Sequence, residues 1–311
     1  MNDLKSVLRS ATVMFLFVGL VGIWVGGCEG RETQEQTVER LIKRLGHKKA
    51  NVRANAAGAL GRIGKDAVPA LIQALKDQDV GVRWNAARAL KKIGTPEAIK
   101  ATIPTLIQAL QDQDEWVRNN AARALGRIGS GAKDAVSALM QALKDQDSKV
   151  RKNAAWALGQ IGSGAKDAVP ALMQALKDQD EWVRGNAARA LGWIGSGAKD
   201  AVPALMQALQ DQDAKVRFAA AYALGEIGEG AVNAVPALIQ ALQDEHVRGN
   251  AAMALGQIGT SEALKAAVPV LIKVLQDPDA EGRFRSIVAR ILGEIDTPDA
   301  LKAVEEYQSR Q

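Results

Sequence analysis

Few side chains in this 311-residue chain could do covalent chemistry. It holds two histidines, His47 in Gly-His-Lys-Lys and His246 in Asp-Glu-His-Val, and one cysteine, Cys28. Neither histidine opens a His-Glu pair, and two imidazoles so far apart supply neither a zinc site nor a histidine-based triad. A single thiol makes no intrachain disulfide and no cysteine metal cluster. Gly-Ser-Gly-Ala-Lys recurs at 129–133, 162–166 and 195–199. It lacks the Gly-Lys-Ser/Thr ending of a phosphate loop and follows a helix pattern, so it reads as a turn. The sequence therefore predicts no catalytic residue, no cofactor and no metal ligand. What it does contain is recognition chemistry at a fixed spacing. Segments 115–147 and 181–213 are nearly identical, and each opens on Glu-Trp-Val-Arg, placing Trp116 and Trp182 at the same polar turn.

Cys28 has its own context. Lys5 and Arg9 precede an uncharged apolar run from Ala11 to Gly27, which is the pattern of a secretory signal. Its 17 residues are short for a spanning helix, which needs about 20. The run ends Val25-Gly26-Gly27-Cys28, which resembles the bacterial lipobox. That resemblance implies cleavage before Cys28, lipid on its thiol, and a membrane-anchored lipoprotein of the cell envelope. The alternative is an uncleaved anchor helix. Both tether the chain to a membrane. Glu29 differs from the aspartate that signals inner-membrane retention in many Gram-negative bacteria.

The elements that position the rest come from one phrase, Ala-Val-Pro-Ala-Leu-x-Gln-Ala-Leu through Val-Arg-x-Asn-Ala-Ala-x-Ala-Leu-Gly-x-Ile-Gly. It recurs in eight copies, with its first aliphatic residue at 33-residue intervals from Ile103 to Val268. Each copy codes two helices. Val169, Leu172, Met173 and Leu176 make one apolar face, and Val183, Ala187, Ala190, Leu191 and Ile194 make another. Pro170 suits a first turn, Asp180 an N-cap and Gly195 a C-terminal stop. One helix pair cannot bury its own apolar face, whereas stacked copies bury each other's. The expected fold is all-α, an α-α superhelix of about eight helix pairs. The boundaries are a signal peptide at 1–27, a linker after the lipidation site at 28–36, repeats at 37–296 and a capping helix at 297–311.

This pattern resembles a HEAT repeat array of the phycobilisome-lyase type, over about 260 residues. The resemblance implies a ladder between repeats, from an aspartate at the turn and an arginine early in the second helix. The matching pairs are Asp79/Arg83, Asp114/Arg118, Asp147/Arg151, Asp180/Arg184, Asp213/Arg217 and Asp244/Arg248. Repeat 1 departs, with Lys49 at the aspartate position, and repeat 8 has two extra residues before Arg285. The resemblance also implies that second helices line a concave face. On a helical wheel, repeat 5 then presents Trp182, Asn186, Arg189 and Trp193, and repeat 3 presents Trp116, Asn120, Arg123 and Arg127. Repeat 4 gives Lys149, Asn153, Trp156 and Gln160, and repeat 6 gives Lys215, Ala219, Tyr222 and Glu226. The regular asparagine column suggests hydrogen bonds between repeats. Trp116, Arg123, Arg127, Trp156, Trp182, Arg189, Trp193 and Tyr222 form the expected partner-binding patch, of residue types enriched in interface hot spots.

Charge and composition narrow the classes. A net charge of +5 is mild for this length. A nucleic-acid binder of the HEAT-like glycosylase kind would carry a concentrated basic stripe. HEAT-like enzymes are the other alternative. Phycobilin lyases share the repeat but work in the cytosol, and the di-iron site of deoxyhypusine hydroxylase needs several His-Glu pairs. The expectation is a monomeric, membrane-tethered scaffold that binds a protein or peptide and is not an enzyme.

Overall fold

A computed structural model describes residues 32–90, 92–93, 102–259, 265, 267–277, 282–295 and 297–309, the side chain of residue 283 apart. Cys28 and the segment read as a signal lie outside the described residues. The chain divides into two compact units, Met1–Thr37 and Val38–Gln311. In the first, Thr33 and Gln36 form a reciprocal cap. The Thr33 N–H donates to Gln36 Oε1 at 2.9 Å and the Gln36 N–H donates to Thr33 Oγ1 at 3.2 Å. The helix they open begins at Gln34, inside the stretch read as linker.

In the described residues all regular structure is helical. Repeat 1 pairs α1 (Gln34–Leu45) with α2 (Ala50–Ile63), and repeat 2 pairs α3 (Val68–Ala74) with α4 (Val80–Leu90). Repeat 3 has α5 (Ile103–Ala109) and α6 (Glu115–Ile128), and repeat 4 has α7 (Val136–Ala142) and α8 (Ser148–Ile161). Repeat 5 has α9 (Val169–Ala175) and α10 (Glu181–Ile194), and repeat 6 has α11 (Val202–Ala208) and α12 (Ala214–Ile227). Repeat 7 has α13 (Val235–Ala241) and α14 (Arg248–Ile258), and repeat 8 has α15 (Val268–Gln276) and α16 (Gly282–Ile295). The last helix is α17 (Pro298–Gln308). No described helix is long and apolar enough to cross a membrane.

Repeat 5 shows why the pattern folds this way. Pro170 sits in the first turn of α9, where its missing N–H has no helical partner to lose. Asp180 caps α10, its carboxylate accepting from the N–H groups of Trp182 and Val183 at 3.0 and 3.1 Å. Gly195 ends α10 at φ +70°, a conformation that disfavours any side chain. The Gly-Ser-Gly-Ala-Lys segment that follows is a 3₁₀ turn into α11, Gly195–Ala201. Val183, Ala187, Ala190, Leu191 and Ile194 are all buried, as are Val169, Leu172 and Leu176 from α9.

From repeat 3 to repeat 7 the second helices pack on one another along their lengths, while neighbouring first helices meet sparsely. Small residues set the spacing. A Cβ built on Gly159 would stand 2.9 Å from Cα of Ala190, and one on Gly192 would stand 2.9 Å from Cα of Ala223. Such backbone approach is open only to glycine facing alanine. The second helices are therefore the more closely packed of the two layers.

Candidate functional site

The second helices leave one stripe of side chains unburied. Trp116, Trp182 and Trp193 are 43, 47 and 36% exposed, large values for indoles. Arg123, Arg127 and Arg189 are exposed, and Trp156 and Tyr222 are half-buried. All eight residues expected for the patch stand on second helices and keep part of their surface accessible. They form two rows.

One row runs near the helix N-termini and alternates in sign of function, Trp116, Lys149, Trp182, Lys215. The Lys149 ammonium lies 4.3 Å from the Trp116 ring centroid, and the Lys215 ammonium 3.9 Å from that of Trp182. These are cation–π contacts across a repeat boundary. The tryptophans at the polar turn thus take a cation from the next repeat.

The second row runs further along the helices. The Trp156 ring lies against Gly126 of the preceding repeat, and a Cβ on Gly159 would meet Trp193 Cε3 at 2.5 Å. Each ring occupies space that a glycine leaves open. Burial and the neighbouring Glu226 carboxylate raise the Tyr222 hydroxyl above its ordinary pKa, against a smaller lowering by Trp193. Gln257 Nε2 donates to Glu226 Oε1 at 3.4 Å, extending the row into repeat 7.

The stripe is one column wider than the sequence reading. Three residues after its first position stand Trp84, Lys152 and Phe218, and Phe218 is 40% exposed, as is Met253 of repeat 7. The signal was present in the periodicity, since i+3 shares a face with i+4 and i+7. The asparagine column is mostly not a ladder between repeats. Asn120, Asn153 and Asn186 each donate to a carbonyl four residues back, on Trp116, Lys149 and Trp182, at 2.7–2.8 Å. Only Asn153, to Asn119, and Asn85, to the Leu45 carbonyl, also reach across.

The aspartate–arginine ladder exists, but with partners other than those expected. Arg118 is not paired with Asp114. Its Nε and Nη2 donate to Asp145 of the next repeat at 2.6 and 2.9 Å. In the same way Arg83 takes Asp112, Arg151 takes Asp178, Arg184 takes Asp211 and Arg217 takes Asp244. The expected partners Asp79, Asp114, Asp147, Asp180 and Asp213 are N-caps, committed to backbone N–H groups of their own helix. The reason is geometric. Each arginine spends Nη1 on two carbonyls of its own turn, as Arg118 does on Asp112 and Gln113, which aims its remaining edge at the neighbour. Repeat 7 has lost the capping aspartate: Asp244 keeps the ladder role, accepting from Arg217 Nε at 2.6 Å and from the His246 N–H at 3.0 Å, and α14 begins without a side-chain cap. Arg248, expected to pair with Asp244, lies 5.0 Å over the Phe284 ring instead. Arg53 Nε is buried without a partner, as is Arg285 Nε.

Burial pushes the Asp145 carboxyl up. Hydrogen bonds from Arg118 and from the Asp147 N–H, with the charges of Arg118 and Arg151, outweigh that and hold it below its ordinary value. Asp112, Asp178, Asp211 and Asp244 are lowered for the same balance of causes. Among the described residues no cluster of His, Cys, Asp and Glu is arranged to hold a metal ion.

The model of the family described as HEAT repeats matches residues 38–101, 103–173, 136–199, 169–246, 202–268 and 235–310. An engineered protein solved by a structural genomics consortium is 31% identical, with a TM-score of 0.61 over 88% of this chain and 82% of that one. A designed armadillo repeat protein, solved in complex with a (KR)4 peptide, is 22% identical with a TM-score of 0.50 over 61% of this chain and 99% of that one. A mutant of Kap121p is 17% identical with a TM-score of 0.62, the match covering 84% of this chain and 33% of that one. These last two likenesses concern the fold. No curated protein matches. The overlapping matches run through the whole described array, and the helix pairs they cover share one register of cap, ladder and glycine contact: this chain belongs to the HEAT-repeat family.

Proposed function

We propose that this HEAT-repeat scaffold holds a protein or peptide partner on its second-helix face, and that Cys28 tethers it to a membrane of the cell envelope. The observation that carries the first part is the stripe of tryptophans and cations along the second helices, with Trp116, Trp182, Trp193, Arg123 and Arg189 exposed. Soluble surfaces rarely leave so many indoles accessible without a partner. The armadillo protein solved with a peptide indicates that an array of this class can hold one. Reading the chain as a non-enzyme rests on the scattered histidines and the lack of any nucleophile or phosphate-loop pattern in the sequence.

Trp182→Ala combined with Trp193→Ala should weaken partner capture at least tenfold, since a central interface tryptophan commonly contributes about 2 kcal/mol or more. The melting temperature should move by only a few degrees. A clear loss of stability with unchanged capture would mean that the rings serve the stack alone. The tether has a separate test. Cells fed a labelled fatty acid should incorporate it into the wild-type chain and not into Cys28→Ser, and equal label in both would remove Cys28 as the site.

A further inference from the structure

The net charge of the chain conceals a separation of charge. Most turn aspartates are consumed in place, either by a ladder arginine or by a helix N-terminus. Glu115 and Glu181, beside the two turn tryptophans, act on ladder arginines Arg118 and Arg184. The cations of the second-helix stripe have no such counterweight. Arg88, Lys92, Arg123, Lys149, Lys152 and Arg189 occupy stripe positions of repeats 2 to 5, and no carboxylate occupies a stripe position there. Past repeat 5 the stripe changes character. Repeat 6 keeps one stripe cation, Lys215, which lies over the Trp182 ring of repeat 5, and beyond it repeats 6 and 7 present Phe218, Tyr222 and Met253 with the carboxylate of Glu226.

We infer that the occupant of this face is an extended acidic polypeptide, its Asp/Glu stretch over repeats 2 to 5 and an apolar stretch over Phe218, Tyr222 and Met253. This rests on the reading of the second-helix face as a docking surface and gives it a chemistry. Charge complementarity selects an anionic ligand. The change from basic to apolar along one face selects a chain of mixed composition. A nucleic acid carries one charge per nucleotide throughout and would meet Glu226 and Met253 with phosphate. Single-strand binders also offer open aromatic faces to bases. Here Trp116 and Trp182 each carry a lysine over the ring, and Trp156 and Trp193 are set against glycines of the adjacent helix.

The test uses the full chain in detergent and a fluorescent peptide, an alternating Asp–Glu tract ending in Leu-Phe-Leu, read by anisotropy. The peptide should bind, more weakly as salt rises, and a Lys–Arg peptide of equal length should bind at least tenfold less tightly. Arg123→Glu with Arg189→Glu should cost at least tenfold at an unchanged melting temperature. Phe218→Ala with Met253→Ala should weaken the Leu-Phe-Leu peptide and leave the bare acidic tract unaffected. A single-stranded oligonucleotide that binds as tightly and displaces the peptide would overturn the inference in favour of nucleic acid. So would no binding of the acidic peptide, or a preference for the Lys–Arg one. If an uncharged or basic peptide bound best and Trp182→Ala/Trp193→Ala still weakened it, the docking face would stand and the acidic partner would fall. If the acidic peptide bound equally to every variant, it would be docking elsewhere and both readings would fall.

Discussion

In Asp178-Gln179-Asp180 two carboxylates of one turn do separate work. Asp180 satisfies backbone N–H groups at the start of α10, and Asp178 receives Arg151 from the repeat before. The rung is bidentate and mostly buried, its aspartate side chain 12% exposed, so each partner depends on the other. A double-mutant cycle should show it. Arg151→Met and Asp178→Asn should couple by about 0.5–3 kcal/mol, while Arg151→Met and Asp147→Asn should be additive within about 0.5 kcal/mol. The reverse result, measured by denaturant unfolding, would restore the pairing within one helix. The rung also predicts acid sensitivity. The folded carboxyl of Asp178 is lowered, and the unfolded value is about 3.9. Its contribution is present above that value and disappears as pH falls through the lower folded one. Melting temperature should decline below about pH 4, and Asp178→Asn should reduce the decline. The arginines were legible in the sequence, but their partners were not. The turns of repeats 2 to 6 read Asp-x-Asp, so Arg151 has Asp147 four positions back and both Asp178 and Asp180 one repeat onward, and periodicity does not choose among identical letters.

At the scale of elements, the first helices of repeats 2 to 7 are seven residues long, too short to persist alone, and the second helices supply the continuous layer. Their existence and type were legible because three signals agree in repeats 2 to 7, namely apolar period, proline or aspartate at the start, and glycine at the end. The closeness of the second helices was not. It depends on Gly126, Gly159, Gly192 and Gly225, which read in sequence as poor helix formers in the middle of helices. Replacing Gly192 with alanine improves intrinsic propensity by about 1 kcal/mol, yet places a Cβ 2.9 Å from Cα of Ala223. Backbone cannot yield as a side-chain tip can, so packing should win. We expect Gly192→Ala to destabilise the array by about 1–3 kcal/mol and to lower the accessibility of neither flanking tryptophan. A stabilised variant would mean that the second helices stand further apart than described.

On the scale of the whole molecule, the buried core columns and the exposed stripe share one repeat unit and occupy different faces of the same helix. The core columns hardly vary from repeat 3 to repeat 7, whereas one stripe column changes at each step, from Arg123 to Trp156 to Arg189 to Tyr222 to Met253. The stacking period was therefore easy to read, and the charge pattern was not, because a net +5 averages a basic stripe with aspartates engaged elsewhere. This architecture also fixes how damage spreads. Leu191 is fully buried in α10, which packs on α8 and α12 of the flanking repeats. Leu191→Ala should cost about 2–5 kcal/mol. In a globular core that cost is shared by one cooperative unit. In a stack each repeat contacts only its neighbours, so the loss is charged to two interfaces and fades along the array. Hydrogen exchange should then quicken first at the amides of α8, α10 and α12 and change least in α2 and α16. Equal quickening from α2 to α16 would show that the array opens as one unit, and that repeats this regular are coupled beyond the neighbour they touch.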